Sequence, residues 1–146
     1  MKIAIGSDHR GVDGRKTLRD VLEGLQQDVL DEGTFESGAV DYPDIARQVG
    51  EDVSSGRADR GVLICGTGIG MAVAANKVHG VRAATIDSER LAAISRQHND
   101  LNVLCLPETL TDPAAIRAIL KTWLATDFEG GRHQRRIEKI RAIENR

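Results

Sequence analysis

The sequence lacks the features that mark disulfide-rich, membrane or nucleic-acid-binding proteins. It has two cysteines in 146 residues, Cys65 and Cys105, and both lie in apolar runs without a CxxC spacing, so neither a metal site nor a disulfide is favoured. No apolar run approaches the roughly 18 residues that a membrane span needs. The formal net charge is −2, which predicts no affinity for nucleic acid or membrane surfaces. We therefore expect a cytoplasmic protein that binds neither.

The N-terminus also lacks the pattern of a signal peptide. The segment MKIAIGSDH begins with a strand-like run and has no longer apolar stretch. A chain of 146 residues with 40% apolar and 29% charged residues predicts one globular domain, residues 1–146, with a core of its own. These values fit an enzyme and a binding domain equally well.

Predicted strands and helices alternate along almost the whole chain. Short apolar runs predict five strands, at Lys2–Gly6, Asp28–Asp31, Gly61–Cys65, Val81–Ile86 and Asn102–Leu106. Apolar residues at helical spacing predict helices over Val12 to about Gln26, Asp44–Ser54, from Met71, from Ser88 to about Gln97, from Pro113, and around Ile137 to Ile143. Residues Phe35–Pro43 read as a loop, and His98–Asp100 as a helix break. The alternation predicts an α/β fold, a five-stranded parallel sheet with helices on both faces and a C-terminal helix.

The most distinctive stretch is GVLICGTGIGMAVAAN, residues 61–76. A buried strand ends at Cys65, three glycines alternate with Thr67 and Ile69, and a helix follows. Such a turn presents backbone N–H groups and the positive end of a helix dipole to an anion, and this setting favours a thiolate. The spacing GxGxG matches neither the dinucleotide fingerprint nor the P-loop. Two interpretations stay open: close helix–strand packing around an inert core cysteine, or an anion hole beside a reactive one.

Ligands of parallel sheets bind beyond the carboxyl ends of the strands. This rule brings Asp8-His9, the Cys65 turn and the segment Leu106–Glu108 to one edge of the sheet. His98-Asn99 precede a strand and belong to the opposite edge, so a role in the same site requires an unusual loop or a second subunit. Simple hydrogen bonding or a favourable helix-dipole interaction would also explain Asp8-His9 and His98.

Arg132 and Arg136 are spaced i, i+4 after two glycines, so one helix face presents both guanidinium groups. Paired arginines suit a phosphate through charge-assisted, often bidentate hydrogen bonds. Solvated surface arginines show the same spacing, so the pattern alone leaves both interpretations open. Met71 and Trp123 are predicted to belong to the core.

Five motifs in this sequence occur in the same order in one enzyme family. They are GSDHRG at 6–11, DYP at 41–43, ICGTGIGMAVAANK at 64–77, SRQHND at 95–100 and EGGRHQRRI at 129–137. The chain resembles the type B ribose-5-phosphate isomerases and their relatives, the ribose/galactose isomerase family, over essentially its whole length. The resemblance implies a Rossmann-like three-layer fold and interconversion of D-ribose 5-phosphate and D-ribulose 5-phosphate without metal or cofactor. It also implies a homodimer or tetramer with active sites at the subunit interface.

The resemblance further implies roles for individual residues. Cys65 would be the base that moves a proton between C2 and C1 through a cis-enediolate, and Thr67 would steady the substrate oxygens or relay a proton. His98 would open the sugar ring as an acid. The residues implied in substrate binding are Asp8, His9, Gly66, Gly68, Ile69, Gly70, Asn99, Arg132 and Arg136, with His9 and the two arginines on the phosphate.

One position departs from the family pattern. Thr109 stands where the family often has an arginine thought to help bind phosphate, and Glu108 precedes it. We expect weaker phosphate binding unless Arg10 or Arg135 compensates. The substrate therefore stays open between ribose 5-phosphate, allose 6-phosphate, galactose 6-phosphate and a tetrose phosphate. A non-catalytic sugar-phosphate-binding module is the alternative from another class, whereas a thiol-dependent redox enzyme would lack a nearby resolving cysteine.

Overall fold

The computed structural model describes residues 1–33 and 40–146. Five strands and six helices alternate in these ranges. The strands are β1 Lys2–Ser7, β2 Asp28–Asp31, β3 Arg60–Cys65, β4 Ala83–Thr85 and β5 Val103–Pro107. The helices are α1 Val12–Gly24, α2 Tyr42–Ser54, α3 Ile69–Ala75, α4 Glu89–Asn99, α5 Pro113–Ala125 and α6 Arg132–Glu144. No helix in the described ranges has the length and apolar character to cross a membrane.

The strands form one parallel sheet in the order β2-β1-β3-β5-β4. Ser7 of β1 pairs with Ile64 of β3, and Cys65 of β3 pairs with Pro107 of β5, so three carboxyl ends lie side by side. The chain proceeds from β1 to one side for β2 and then to the other side for β3. Ligands of open α/β sheets bind at such a switch point, which places the expected site at the ends of β1 and β3.

Both faces of the sheet are covered by helices, which confirms the predicted three-layer α/β fold. Neighbouring residues of a strand point to opposite faces, so Ile64 packs in the core cluster that includes residues of α1, α4 and α5. Cys65 packs in the other cluster, which includes residues of α2 and α3. Trp123 in the first cluster and Met71 in the second are fully buried, as predicted.

Helix α4 extends further than its sequence predicted. It continues through His98 and Asn99, and the residue that follows, Asp100, caps it with a left-handed φ of 47°. The carboxylate of Asp100 forms ion pairs with Arg82 and Arg96, each at 2.9 Å, and these offset the cost of left-handed backbone at a residue with a Cβ. His98 and Asn99 therefore belong to the last helical turn and not to a helix break.

The predicted loop Phe35–Pro43 is wrong at its C-terminal end, and its residues 35–39 lie outside the described ranges. Helix α2 begins at Tyr42, with Pro43 in its first turn. Proline suits that position because the first N–H groups of a helix have no intrahelical partner. Tyr42 is thereby fixed by a helix, close to the carboxyl edge of the sheet.

Three other elements have boundaries that differ from the prediction by one or two residues. Strand β4 spans Ala83–Thr85 where Val81–Ile86 was predicted, because it is an edge strand that pairs only with β5. Helix α1 ends at Gly24 and not near Gln26. Helix α3 begins at Ile69 and not at Met71, so the glycine-rich turn is shorter than the sequence suggested.

Candidate active site

Asp8 and His9 follow β1 at the carboxyl edge of the sheet. Asp8 is buried, and its Oδ1 accepts the backbone N–H groups of Arg10 at 3.0 Å and Gly11 at 3.1 Å. This turn holds His9 at the surface, where its Nδ1 accepts the N–H of Val40 at 3.3 Å. In a neutral imidazole the proton then lies on Nε2, which leaves His9 with one outward-facing donor.

Cys65 ends β3 beside this turn. Because Ser7 pairs with Ile64, Asp8 and Cys65 come next on neighbouring strands, which lie about 4.8 Å apart. The Cys65 side chain is 5% exposed, so the thiol lies at the end of the strand, next to the core, and is largely shielded from water. Cys65 and Asp8 thus lie at neighbouring strand ends on the carboxyl edge of the sheet, and their joint role in one site stays a prediction.

The turn after Cys65 presents unpaired backbone donors. Gly68 has a left-handed φ of 77° and precedes α3, while the Oγ1 of Thr67 accepts the N–H of Ile69 at 3.2 Å. The N–H groups of Gly66, Thr67 and Gly68 have no acceptor in the part of the chain that the structure describes. The Ile69 N–H therefore closes the turn in this structure, and its part in substrate binding stays a prediction.

Gly68 provides a stability prediction with a matched control. A Cβ at Gly68 would lie 3.0 Å from Thr85 Cγ2 and 3.1 Å from the carbonyl carbon of Leu106, whereas a Cβ at Gly56, with the same φ of 77°, would meet nothing within 4 Å. Both Gly→Ala variants incur the left-handed strain of roughly 1–2 kcal/mol. We expect the free energy of unfolding to fall by about 1–3 kcal/mol more in Gly68→Ala than in Gly56→Ala, because the new methyl group is overpacked. Urea unfolding of both variants measures this difference, and equal losses would contradict it.

Tyr42 is a site residue for which the sequence analysis assigned no role. A Cβ at Gly70 would lie 2.8 Å from the Tyr42 Cζ and 3.2 Å from its hydroxyl oxygen, so the phenol ring covers the start of α3. The DYP motif was the only signal in the sequence. A side chain at Gly70 would have to displace the end of the Tyr42 ring.

Arg10 and Glu108 bring opposite charges to Gly66. A Cβ at Gly66 would lie 3.3 Å from Arg10 Nη1 and 3.9 Å from Glu108 Oε1. The Glu108 N–H donates to the Cys65 carbonyl at 2.8 Å, which ties the segment after β5 to the end of β3. Compensation by Arg10 for the arginine replaced by Thr109 stays a prediction.

The two cysteines differ in their chemical surroundings. Cys105 is fully buried, and burial, together with the nearby Cys65 thiol, raises its pKa. Cys105 pairs with Leu63 and not with Cys65, so the two cysteine Cα atoms are separated diagonally by about 8 Å, beyond disulfide range. Cys105 is therefore a neutral core thiol, whereas Cys65 lies at the carboxyl end of β3.

A second group of predicted site residues lies at the opposite, amino edge of the sheet. His98 and Asn99 end α4, just before β5 begins at Val103. Strand β5 runs from there to Pro107, beside Cys65, so its length alone separates the two edges by roughly 13 Å. One chain does not bring His98 and Cys65 together.

Arg132 and Arg136 belong to this second group. The N–H of Glu129 donates to the carbonyl of Gln97 at 3.1 Å, and Gly130 and Gly131 have positive φ, so α6 begins beside the end of α4. Both arginines are exposed, and neither has an ion pair within residues 1–33 and 40–146. Their guanidinium groups are thus free to bind an anion.

His133 completes this group and was missed by the sequence analysis. Its ring stacks on His98 with centroids 4.2 Å apart and planes inclined by 11°. Ligand atoms of His98, Glu129 and His133 lie within 4.8 Å of one another. A metal ion requires ring lone pairs that converge on one point, and those of parallel rings do not. The arrangement favours a stacked pair over a metal centre.

We call the two sets the carboxyl-edge group (Asp8, His9, Cys65 and Gly66–Gly70) and the amino-edge group (His98, Asn99, Arg132, His133 and Arg136). Asn99 also borders an apolar groove of about 690 Å³ between β4, α4 and α6, which exposes Leu91, Ile140 and Ile143. The groove does not include Cys65. Exposed apolar surfaces of this kind are typical of sites that bind another molecule.

Comparison with known proteins agrees with this geometry. Residues 3–140 match the family model described as Ribose/Galactose Isomerase. Ribose-5-phosphate isomerase B of Escherichia coli is 43% identical, with 99% of this chain and 97% of that protein covered. The structure of Clostridium thermocellum ribose-5-phosphate isomerase B is 46% identical, with a TM-score of 0.95 over 99% of this chain and 98% of that one.

A further solved structure includes a sugar phosphate. It is ribose-5-phosphate isomerase B of Mycoplasma genitalium with bound ribulose-5-phosphate, which is 44% identical with a TM-score of 0.91, covering 99% of this chain and 96% of that one. Fold, length and sequence agree throughout these comparisons. The chain therefore belongs to the ribose/galactose isomerase family, and it is an aldose–ketose isomerase.

Proposed function

We propose that this enzyme interconverts D-ribose 5-phosphate and D-ribulose 5-phosphate through a cis-enediolate. The observation that carries the proposal is the shielded Cys65 thiol beside a turn whose N–H groups have no acceptor in the described ranges. A base next to preorganised donors is what proton transfer at a carbon next to a carbonyl requires.

Cys65 is assigned as the base in this reaction. Its thiolate takes the proton from C2 of the open-chain aldose, the C–H electron pair forms the C1–C2 double bond, and the carbonyl electrons move to O1. A proton passes from the O2 hydroxyl to O1, with Thr67 within the same turn to relay it. Cys65 then returns a proton to C1 as O2 becomes the carbonyl oxygen.

The turn from Gly66 to Gly68 is assigned to the negative charge that develops on the substrate oxygens. Helix α3 has only seven residues, so we attribute this role to the individual N–H groups and not to a long helix dipole. Removing one such donor typically costs about 10²–10³ in kcat. The glycines therefore act on the transition state, while the phosphate is bound elsewhere.

His98 is assigned as the acid that opens the furanose ring. It gives a proton to the ring oxygen as the bond from that oxygen to C1 breaks, and the C1 hydroxyl releases its proton to solvent as the C1 carbonyl forms. Asn99 and Asp8 bind sugar hydroxyls. The outward-facing Nε2 of His9, with Arg132 and Arg136, binds the phosphate, because guanidinium groups match its oxygens in charge and geometry.

The active site is proposed to form between two subunits of a homodimer. The carboxyl-edge group of one subunit would supply Cys65 and the N–H donors. The amino-edge group of the other subunit would supply His98 and the two arginines, so the complete set of site residues exists only in the dimer. The apolar groove beside Asn99 supports this arrangement, because a second copy docked along β4 and α6 lies next to the amino-edge group. Pairing of dimers into a tetramer stays a prediction.

The groove provides a test of the dimer. Ile143 is 64% exposed in the single chain, and Ile143→Asp places a charge on the surface that we propose a second copy covers. We expect a shift from dimer to monomer in sedimentation velocity and a parallel loss of isomerase activity, since burying an unpaired charge is strongly unfavourable. Ile143→Val, which removes one methyl group without adding charge, is expected to stay dimeric. A dimeric, active Ile143→Asp protein would contradict this interface.

Turnover of a panel of sugar phosphates tests the proposed function itself. We expect ribose 5-phosphate to be isomerised faster than allose, galactose and tetrose phosphates, with exchange of the C2 proton for solvent deuterium. Faster turnover of another sugar phosphate would assign that compound as the substrate. The panel is needed because Thr109 replaces a family arginine thought to help bind phosphate, and Glu108 adds a negative charge beside it. Tight binding without deuterium exchange would favour the non-catalytic binding module.

A further inference from the structure

The rings of His98 and His133 form a close, nearly parallel stack. His133 is 5% exposed, and its Nε2 has no hydrogen-bond partner in the described ranges. The nearest carboxylate oxygen, on Glu129, is 3.5 Å away. His98 is half-buried. The buried His133 ring thus packs against one face of the His98 ring.

The surroundings of the two rings differ in charge. His133 occupies the first turn of α6, between Arg132 and Arg136, where the helix dipole opposes a positive ring. Burial, followed by His98 and the two arginines, lowers the pKa of His133, and only Glu129 acts in the other direction. His98 lies at the opposite kind of helix end, in the last turn of α4.

We propose that His133 is a positioning residue for His98: it remains neutral, fixes the plane of the His98 ring by stacking, and leaves the proton of the pair on His98. The inference rests on the proposed function, since it assigns His133 to the ring-opening step. Two charged imidazoles 4.2 Å apart would repel each other. A neutral His133 therefore lets His98 carry its proton without a charged neighbour in the stack.

The kinetic test separates ring opening from proton transfer. Ribose 5-phosphate must be opened, but ribulose 5-phosphate is acyclic, because the hydroxyl that would close its five-membered ring carries the phosphate. We expect His133→Ala to lower kcat for ribose 5-phosphate by about ten- to hundredfold through misplacement of the acid. Exchange of the C1 proton of ribulose 5-phosphate for deuterium should stay within about twofold of the parent, because that step needs Cys65 and not His98.

The variant His133→Phe distinguishes positioning from direct chemistry. Phenylalanine keeps a flat, neutral ring against His98 but has no nitrogen, so we expect it to restore most of the ribose 5-phosphate turnover. A His133→Phe protein as slow as His133→Ala would overturn the proposal by assigning the reaction to the His133 nitrogen. The exposed His79, replaced by alanine, is the matched control and should behave as the parent.

Two readouts do not depend on activity. In NMR spectra the His98 ring protons should lose their ring-current shift in His133→Ala and keep it in His133→Phe. Because the pKa of His133 is lowered by folding, the parent loses stability as pH falls below about 6.5, and His133→Phe should lose less. Unchanged His98 shifts in His133→Ala would overturn the stack. An inactive parent with these shifts present would instead count against the proposed function alone.

Discussion

Cys65→Ala is expected to lower kcat for ribose 5-phosphate by about 10³–10⁴-fold, within the range that a positioned general base supplies. The alanine side chain has no group that can take the C2 proton, while the N–H groups of the turn and the phosphate-binding residues are unchanged. We therefore expect KM to change little. A coupled assay of ribulose 5-phosphate formation, with deuterium exchange at C2 measured in parallel, tests both expectations.

Cys105→Ala is the matched control for this prediction. Both cysteines lie in the same core cluster, and both substitutions remove one sulfur atom, but burial keeps the Cys105 thiol neutral. We expect Cys105→Ala to cost about 1 kcal/mol of stability through a small cavity and to retain nearly full turnover. If Cys65→Ala isomerises ribose 5-phosphate as fast as Cys105→Ala, Cys65 is not the base.

His98→Asn is expected to have an effect that depends on whether the substrate forms a ring. With ribose 5-phosphate we expect a loss of about 10²-fold or more, since an amide cannot donate the proton that opens the ring. Erythrose 4-phosphate is acyclic as a monomer, because the hydroxyl that would close its ring carries the phosphate. Any isomerisation of that tetrose should be nearly the same in His98→Asn and the parent.

Comparing kcat for the two substrates in both proteins measures this selectivity. Arg96→Lys, in the same turn of α4, is a suitable control because Arg96 bonds the Leu101 carbonyl and Asp100 and should affect both substrates equally. An equal loss on ribose and erythrose phosphates in His98→Asn would mean that His98 acts in the proton transfer itself. No loss on ribose 5-phosphate would remove it from the mechanism.

Most of the fold could be predicted from the sequence because the apolar pattern is strong. Five apolar runs predicted the five strands of a parallel sheet, and the glycine-rich turn indicated the edge of the sheet where we place the candidate site. The errors lie where side chains override local signals. The segment His98–Asp100 has the composition of a break, yet ion pairs of Asp100 with Arg82 and Arg96 extend the helix.

The candidate site was harder to predict than the fold. Chain order alone placed His98 at the edge opposite Cys65, because a residue that precedes a strand lies at its amino end. It did not locate Arg132 and Arg136, since nothing in the sequence indicated that α6 begins beside α4. His133 was missed because its burial depends on the His98 ring and not on a helical period of apolar residues.

The measurement that tests the shared active site most directly is activity of a heterodimer made from two inactive variants. Co-expression of differently tagged Cys65→Ala and His98→Asn chains, followed by two affinity steps, isolates a dimer in which one site has both residues intact and the other has neither. We predict about half of the parent's ribose 5-phosphate turnover per dimer, as two-fold symmetry requires, while each variant alone stays nearly inactive. A heterodimer as inactive as its two parents would show that Cys65 and His98 do not act in one site across the interface.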